Sequence, residues 1–218
     1  MKYKEEPRIG EYVDVAYYQY NQGPLFKSLW KTLTLLCVPF LLPLILAAKA
    51  SDFVFKACSE FLSLVPSPFG FIMRYAFYKF TLDSCGENVL IDFGTVFYYP
   101  KITIGNNVTF GIGNIVQHCD FGSNVLVSDS CRFIGGIKKH TYDRTDIPIV
   151  YQGGKIKAIR VESDTWIDSN AIVMENIGHG SVIMAGSVIT KVVEPYSICS
   201  GNPARVIGKR KQNLRGSI

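Results

Sequence analysis

From residue 85 onward, apolar residues recur at a step of six, and that step excludes an ordinary helix or sheet. The runs 121, 127, 133, then 161, 167, 173, then 177, 183, 189 keep it strictly. An amphipathic helix repeats at about 3.6 residues and a half-buried strand at 2. A six-residue step marks instead a stacked-repeat architecture, in which each unit buries its apolar residue against the next. Gly, Asp or Glu often follows the apolar residue, and a small residue comes four later. Ile91 leads to Thr95, Ile104 to Val108, Phe121 to Val125, Val127 to Cys131, Ile167 to Ala171, Ile177 to Ser181 and Ile183 to Ser187. We read each hexad as one short strand plus a corner, and three hexads as one triangular coil of about 18 residues. Gly, Asp and Asn at the corners supply the backbone angles of a sharp turn.

The period breaks twice. Over residues 135–158, GGIKKHTYDRTDIPIVYQGGKIKA, it vanishes, which places an inserted loop on a rigid scaffold. After Val173 the next inward residue is Ile177, so one side of that coil is short.

The first third has another texture. Thr32–Ala48 is an uncharged run of 17 residues, the lower edge of a membrane span, with Pro39 and Pro43 inside it. Those prolines predict a kink or break. Lys27 and Lys31 precede the run, and Lys49 and Lys56 follow it. A second apolar stretch, Phe61–Met73, is broken by Pro66, Pro68 and Gly70. Together they predict a re-entrant or interfacial hairpin with both ends at the same membrane face. Helices packed on the soluble domain or on a partner are the other reading. The expected organisation is a hydrophobic helical region over 1–80, a β-coil domain over 81–207 with the loop 135–158, and a basic tail over 208–218.

Charge is nearly balanced: Lys and Arg number 23 against 18 Asp and Glu. Arg205, Lys209, Arg210, Lys211 and Arg215 crowd the end of the chain without an acid; such a tail can meet a phosphate-bearing ligand, anionic lipid or nucleic acid, and a solvated terminus that keeps the protein soluble is the other reading. Six cysteines form no CxxC pair, which argues against a disulfide scaffold or zinc ribbon and for a reducing compartment. The three histidines, 118, 140 and 179, are too far apart in sequence for a close metal-binding pair.

The segment Ile183–Arg210, IMAGSVITKVVEPYSICSGNPARVIGKR, carries AGS, TK, P-Y-S, GNPA and basic elements in that order. It resembles the closing coil of the hexapeptide-repeat acyltransferases. Asp164-Thr165-Trp166-Ile167 is similar to that family's tryptophan-isoleucine coil. His140 followed by Asp146-Ile147-Pro148-Ile149 resembles the catalytic loop of its sugar O-acetyltransferase branch. The resemblance covers residues 66–210 and implies a mainly β fold, a left-handed parallel β-helix, carrying the helical, hydrophobic, membrane-associated N-terminal extension argued above.

It also implies roles. His140 would be the general base that takes a proton from a sugar hydroxyl attacking the acetyl-CoA thioester. Trp166 would lie beside the pantetheine arm, with Ser169 and Ala185 at the thioester end, where a backbone N–H can hold an oxyanion. Thr190, Lys191 and Arg205 would meet the pantetheine and phosphates of acetyl-CoA. Asn114, His118, Tyr142 and Asp143 are candidates for holding the acceptor; a structural role for His118 is the other reading. Departures exist: Lys138-Lys139 stands where the family often has Asp-His, Gly113 falls where a sugar-facing asparagine is usual, and Met184 replaces a glycine. The expected partners are two further copies in a homotrimer, a sugar or glycolipid acceptor, and membrane lipid, with no metal and no nucleic acid. The expected location is the cytoplasmic face of a bacterial inner membrane. Amino-sugar N-acylation and a non-catalytic β-helix scaffold are the alternatives.

Overall fold

A computed structural model describes residues 24–136 and 140–210 of the chain. Three helices, α1 (Pro24–Ala48), α2 (Asp52–Ser63) and α3 (Phe69–Thr81), precede a run of two- and three-residue strands that begins at Ser84–Cys85. Apart from the last, antiparallel strand Ala204–Lys209, the strands stack in parallel into three sheets, which are the three faces of a prism.

Each face has one inward column. The first face stacks Cys85, Ile104, Phe121, Val161, Ile177 and Val193. The second stacks Ile91, Phe110, Val127, Ile167, Ile183 and Cys199. The third stacks Phe97, Val116, Phe133, Val173 and Ile189. All seventeen are buried. The parallel β-coil read from the six-residue step is therefore the observed architecture.

The corners explain the step. Three residues after every inward residue of the first face stands a left-handed residue: Asn88, Asn107, Asn124, Asp164, Gly180 and Tyr196. Gly94, Gly113, Ser130, Asn170 and Gly186 do the same after the second face. Asn tolerates this region through local hydrogen bonds and Gly through its lack of Cβ. Asn88 donates to Asn107 and Asn107 to Asn124, forming a ladder up the first corner. The residue after each of these turns is buried, as Thr95, Val108, Ala171 and Ser187 show.

The third corner, from the third face back to the first, lacks a left-handed residue outside the inserted loop. It absorbs every irregularity: Phe97 to Ile104 takes seven residues, Val116 to Phe121 five, Val173 to Ile177 four and Ile189 to Val193 four. The loop 135–158 emerges at this same corner, between Phe133 and Val161.

The helices do not form a separate body. A file of aromatic rings runs from α2 and α3 into the coil: Phe55–Phe77 at 5.8 Å, Phe77–Tyr78 at 5.3 Å, Tyr78–Phe97 at 4.7 Å, then Phe110, Phe121 and Phe133 at spacings of 5.3, 4.8 and 5.0 Å. Ser59 bridges the junction by accepting the Phe97 N–H and pairing with the Tyr78 hydroxyl at 2.6 Å. Arg74, fully buried, donates to Ile91 O, Leu62 O and Val65 O, tying the end of α2 to the first coil. Burial lowers its pKa, and the nearby Tyr78 and Asp92 offset this only in part. Tyr75 donates to Gly86 O and Lys79 to Cys85 O, so α3 lies along the edge of the first coil.

α1 packs one layer further out, through Thr34, Leu41, Ile45 and Ala48. The break expected at Pro39 and Pro43 is absent: one helix runs through both. Both prolines lie on the exposed side, and the packed side keeps the helix continuous through them. The chain reverses only at Lys49–Ala50, and Ser51 caps α2 by accepting the Val54 N–H. The second apolar stretch is likewise not one arm of a hairpin; it ends α2, turns, and starts α3.

Candidate functional site

The inserted loop leaves the third corner at Gly135-Gly136 and returns at Ile156-Lys157. Its two legs touch: a Cβ on Gly135 would lie 2.6 Å from Lys157 O. Lys157 pairs with Glu175 at 2.6 Å, one coil further along the same corner. Further out the loop bonds to itself. Thr141 N–H donates to Gly153 O at 2.8 Å. The Gln152 amide donates to Arg144 O and Ile147 O, both at 2.7 Å, and accepts the Arg144 N–H. The Arg144 guanidinium grips Asp146 and holds its carboxyl below the usual range. His140 stands at the base of this lobe with an exposed imidazole, and Tyr142 and Asp143 beside it are exposed too. Lys138 and Lys139 lie outside the described residues.

The residues assigned to the cofactor are spread over the second face, the second corner and the third corner. Trp166 projects from the second face, 39% exposed, and its indole N–H donates to Ser128 Oγ at 3.3 Å. Ser169 and Ala185 stack one coil apart at the second corner, where Gly186 N–H donates to Ser169 O. Thr190 and Lys191 occupy the third corner near the end of the prism. With Arg205 they rim a cavity of about 160 Å³ whose floor includes Ile189, Val193 and Cys199. Arg205 belongs to Ala204–Lys209, an antiparallel strand that closes the second face. Two cations of the expected basic tail are exposed and bonded to the coil. Lys209 donates to Pro195 O and Ser197 Oγ, and Arg210 is held by Asp164 and Gly180 O. Lys211 and Arg215 lie outside the described residues.

The expectation for Asn114 needs correction. Its side chain is buried in the second corner, donating to Gly111 O and accepting the Cys131 N–H, both at 2.8 Å. It locks coil to coil and faces no acceptor. His118 sits at the third corner, stacked on Tyr99 at 4.1 Å and beside Gly135 at the foot of the loop. His179 stands edge-on to Tyr196. Among the described residues no three His, Cys, Asp or Glu side chains converge as a metal site. Sequence reading missed Gln152 and Glu175, the two residues that shape and moor the loop; neither belongs to a periodic pattern.

The third corner is the edge opposite the second face. One chain therefore keeps His140 and Trp166 apart, on opposite sides of the prism.

No family model matches the chain. Over 52 residues it is 54% identical to a chloramphenicol acetyltransferase of Klebsiella aerogenes, covering 23% of this chain and 25% of that one. Over 122 residues it is 29% identical to a probable acetyltransferase of Mycobacterium tuberculosis, covering 54% and 40%. The chain thus spans well under half the length of these curated relatives. Among solved structures it resembles a maltose O-acetyltransferase of Clostridium difficile at TM-score 0.63 and 20% identity, over 72% of this chain and 86% of that one. A hexapeptide-repeat acetyltransferase of Vibrio cholerae matches at TM-score 0.55 and 22% identity, over 73% and 93%. That protein has also been solved in complex with acetyl coenzyme A. The fold is that of the hexapeptide-repeat acetyltransferases, and the relatives in sequence are named acetyltransferases.

Proposed function

We propose that the chain is an acetyl-CoA-dependent O-acetyltransferase acting on a sugar hydroxyl. The observation that carries the reading is the one long excursion of the coil, a moored and self-bonded loop that presents an exposed imidazole. A sugar hydroxyl is a poor nucleophile at neutral pH, and an imidazole is suited to take its proton. The hydroxyl oxygen bonds to the thioester carbonyl carbon while His140 accepts the proton. The C–S bond then breaks, and the proton passes from the imidazolium to the departing thiolate. The cationic rim of Lys191 and Arg205 fits the phosphates of acetyl-CoA, the outward indole of Trp166 fits its arm, and a backbone N–H near Ala185 fits the oxyanion. A homotrimer, with each site between the loop edge of one copy and the second face of the next, agrees with the separation of these residues within one chain.

The acceptor is a lipid-linked or surface glycan at the cytoplasmic face of a bacterial inner membrane. Supporting this, α1 is an apolar helix that exposes Leu35, Leu36, Phe40 (86% exposed) and Leu46, and α2 and α3 expose Phe53, Phe61 and Phe69. Because α1 lies against α3, it is placed to lie in the interface rather than to cross. Detergent should release the protein from membranes and high salt should not; release by salt overturns this placement.

Incubation of purified protein with labelled acetyl-CoA and a panel of membrane glycolipids, maltose, a dTDP-amino sugar and chloramphenicol tests the chemistry. The expected product is an alkali-labile ester on a glycolipid sugar. The solved neighbours include a Bacillus cereus N-acyltransferase in complex with dTDP-4-amino-4,6-dideoxyglucose, at TM-score 0.50. An alkali-stable amide would therefore favour N-acylation. Absence of any product, with no acetyl-CoA bound, would favour a scaffold.

A further inference from the structure

Between α1 and α3, over the edge of the first coil, lies a crevice of about 440 Å³, well within the size of ordinary ligand pockets. Its walls are Leu35 and Val38 of α1 with Tyr75 and Phe80 of α3. Lys31, Lys79 and Glu87 stand at its mouth. The charges do not cancel. Lys31 and Glu87 form a loose pair at 3.7 Å, with both side chains largely in solvent. Lys79 is held by two backbone carbonyls, Cys85 O and Gly86 O, and meets no carboxylate among the described residues. An apolar slot with one surplus positive charge at its mouth therefore opens beside the exposed leucines of α1.

We propose that this crevice binds a single lipid through one anionic phosphate headgroup. The phosphate lies between the ammonium groups of Lys31 and Lys79, displacing Glu87 from its weak pair. The hydrocarbon chain runs along Leu35, Val38 and Phe80 and continues onto the outer side of α1. Two features select this occupant. A soluble phosphate would gain nothing from the apolar walls, whereas an uncharged apolar ligand would leave the lysine mouth unused. A phosphodiester on a hydrocarbon chain satisfies both ends of the slot. The inference rests on the membrane-facing reading of α1 but not on acyl transfer, and it is tested without acetyl-CoA.

Native mass spectrometry of the full chain in mild detergent provides the test, with phosphatidylglycerol, phosphatidylcholine and inorganic phosphate as separate probes. The expected result is one phosphatidylglycerol retained per chain, little phosphatidylcholine, and no competition by inorganic phosphate. Lys31→Gln with Lys79→Gln should weaken retention by roughly thirtyfold, at about 1 kcal/mol per lysine. Lys31→Gln alone alters only an exposed side chain, keeps the fold, and should weaken it several-fold. Val38→Trp, which fills the slot while leaving both lysines, should also abolish retention. Equal retention of the two lipids, indifference to both lysine variants, or displacement by inorganic phosphate would each overturn the proposal. Loss of the bound lipid with vesicle association intact would leave the membrane reading of α1 standing, so the two failures are distinguishable.

Discussion

Two corners of the prism repeat almost without variation, and the third keeps no common length. At the first and second corners every side is six residues long and turns on a left-handed residue. At the third corner the connection takes seven, five or four residues, or the whole 135–158 loop. The regular corners are where neighbouring coils are knitted together, through the Asn88–Asn107–Asn124 ladder and the buried Asn114. The irregular corner carries His140, the His118–Tyr99 stack, Thr190 and Lys191. The ladder and lock that tie the coils together lie at the regular corners and the proposed general base at the irregular one, although Trp166, Ser169 and Ala185 of the proposed cofactor wall share the regular side.

The sharpest test of that division is His140→Ala. Turnover should fall by about 10²–10⁴-fold, the usual contribution of a general base, while the melting temperature stays unchanged. Steady-state kinetics beside calorimetry will show it; turnover within a few-fold of wild type removes His140 from the mechanism. The converse change belongs at a regular corner. Gly180 has φ +69°, and a Cβ there would lie 2.6 Å from the Tyr196 ring. Gly180→Ala should cost about 2 kcal/mol of stability from the left-handed backbone and the clash together. Excision of residues 137–156 at the irregular corner should abolish activity and leave melting almost untouched. If the excision melts the coil and Gly180→Ala does not, the division is wrong.

A smaller effect separates the two surfaces that the site would draw from different copies. Trp166→Ala and Lys191→Ala should raise the KM for acetyl-CoA by about tenfold and change kcat less, because their contacts are to parts of the cofactor remote from the reaction. Unchanged cofactor binding in isothermal titration would exclude both from the site.

The smallest effect concerns the coil interior. Burial pushes the Cys131 thiol up to about 11 and the Cys85 thiol up to about 12. An unfolded thiol titrates near 8.5, so the unfolded chain loses these protons first as pH rises. The stability contributed by the protonated thiols is complete below about pH 8.5 and is lost between there and about 11–12. The melting temperature should be flat from about pH 6 to 8 and fall by a few degrees by about pH 9.5. Cys131→Ala should flatten part of that fall, and a flat profile in the wild type would contradict the assignment.

Much of this was legible in the sequence because a coil repeats local rules. An inward residue, a turn residue three later and a small residue four later involve only near neighbours, so residues such as Ile167, Asn170 and Ala171 announce their places unaided. The loop was legible as the span where those rules stop. Asn114 misled because its type fits both a sugar contact and a corner lock, and only the distance to Cys131 N separates them. Pro39 and Pro43 misled because their effect depends on which side of the helix is packed.

What the sequence determined alone is thus the periodic part: the three inward columns, the two regular corners and the position of the inserted loop. The tertiary structure decided what depends on pairs distant along the chain. It alone shows that Ser59, Tyr78 and Arg74 make the helices a lid on the first coil, that Gln152 and Glu175 shape and moor the loop, and that Lys209 and Arg210 bond back to the coil. It also sets His140 and Trp166 on opposite sides of the prism. The physical reason is that a repeat is enforced locally, at every turn, whereas a tie between distant segments is made once and leaves no period in the sequence.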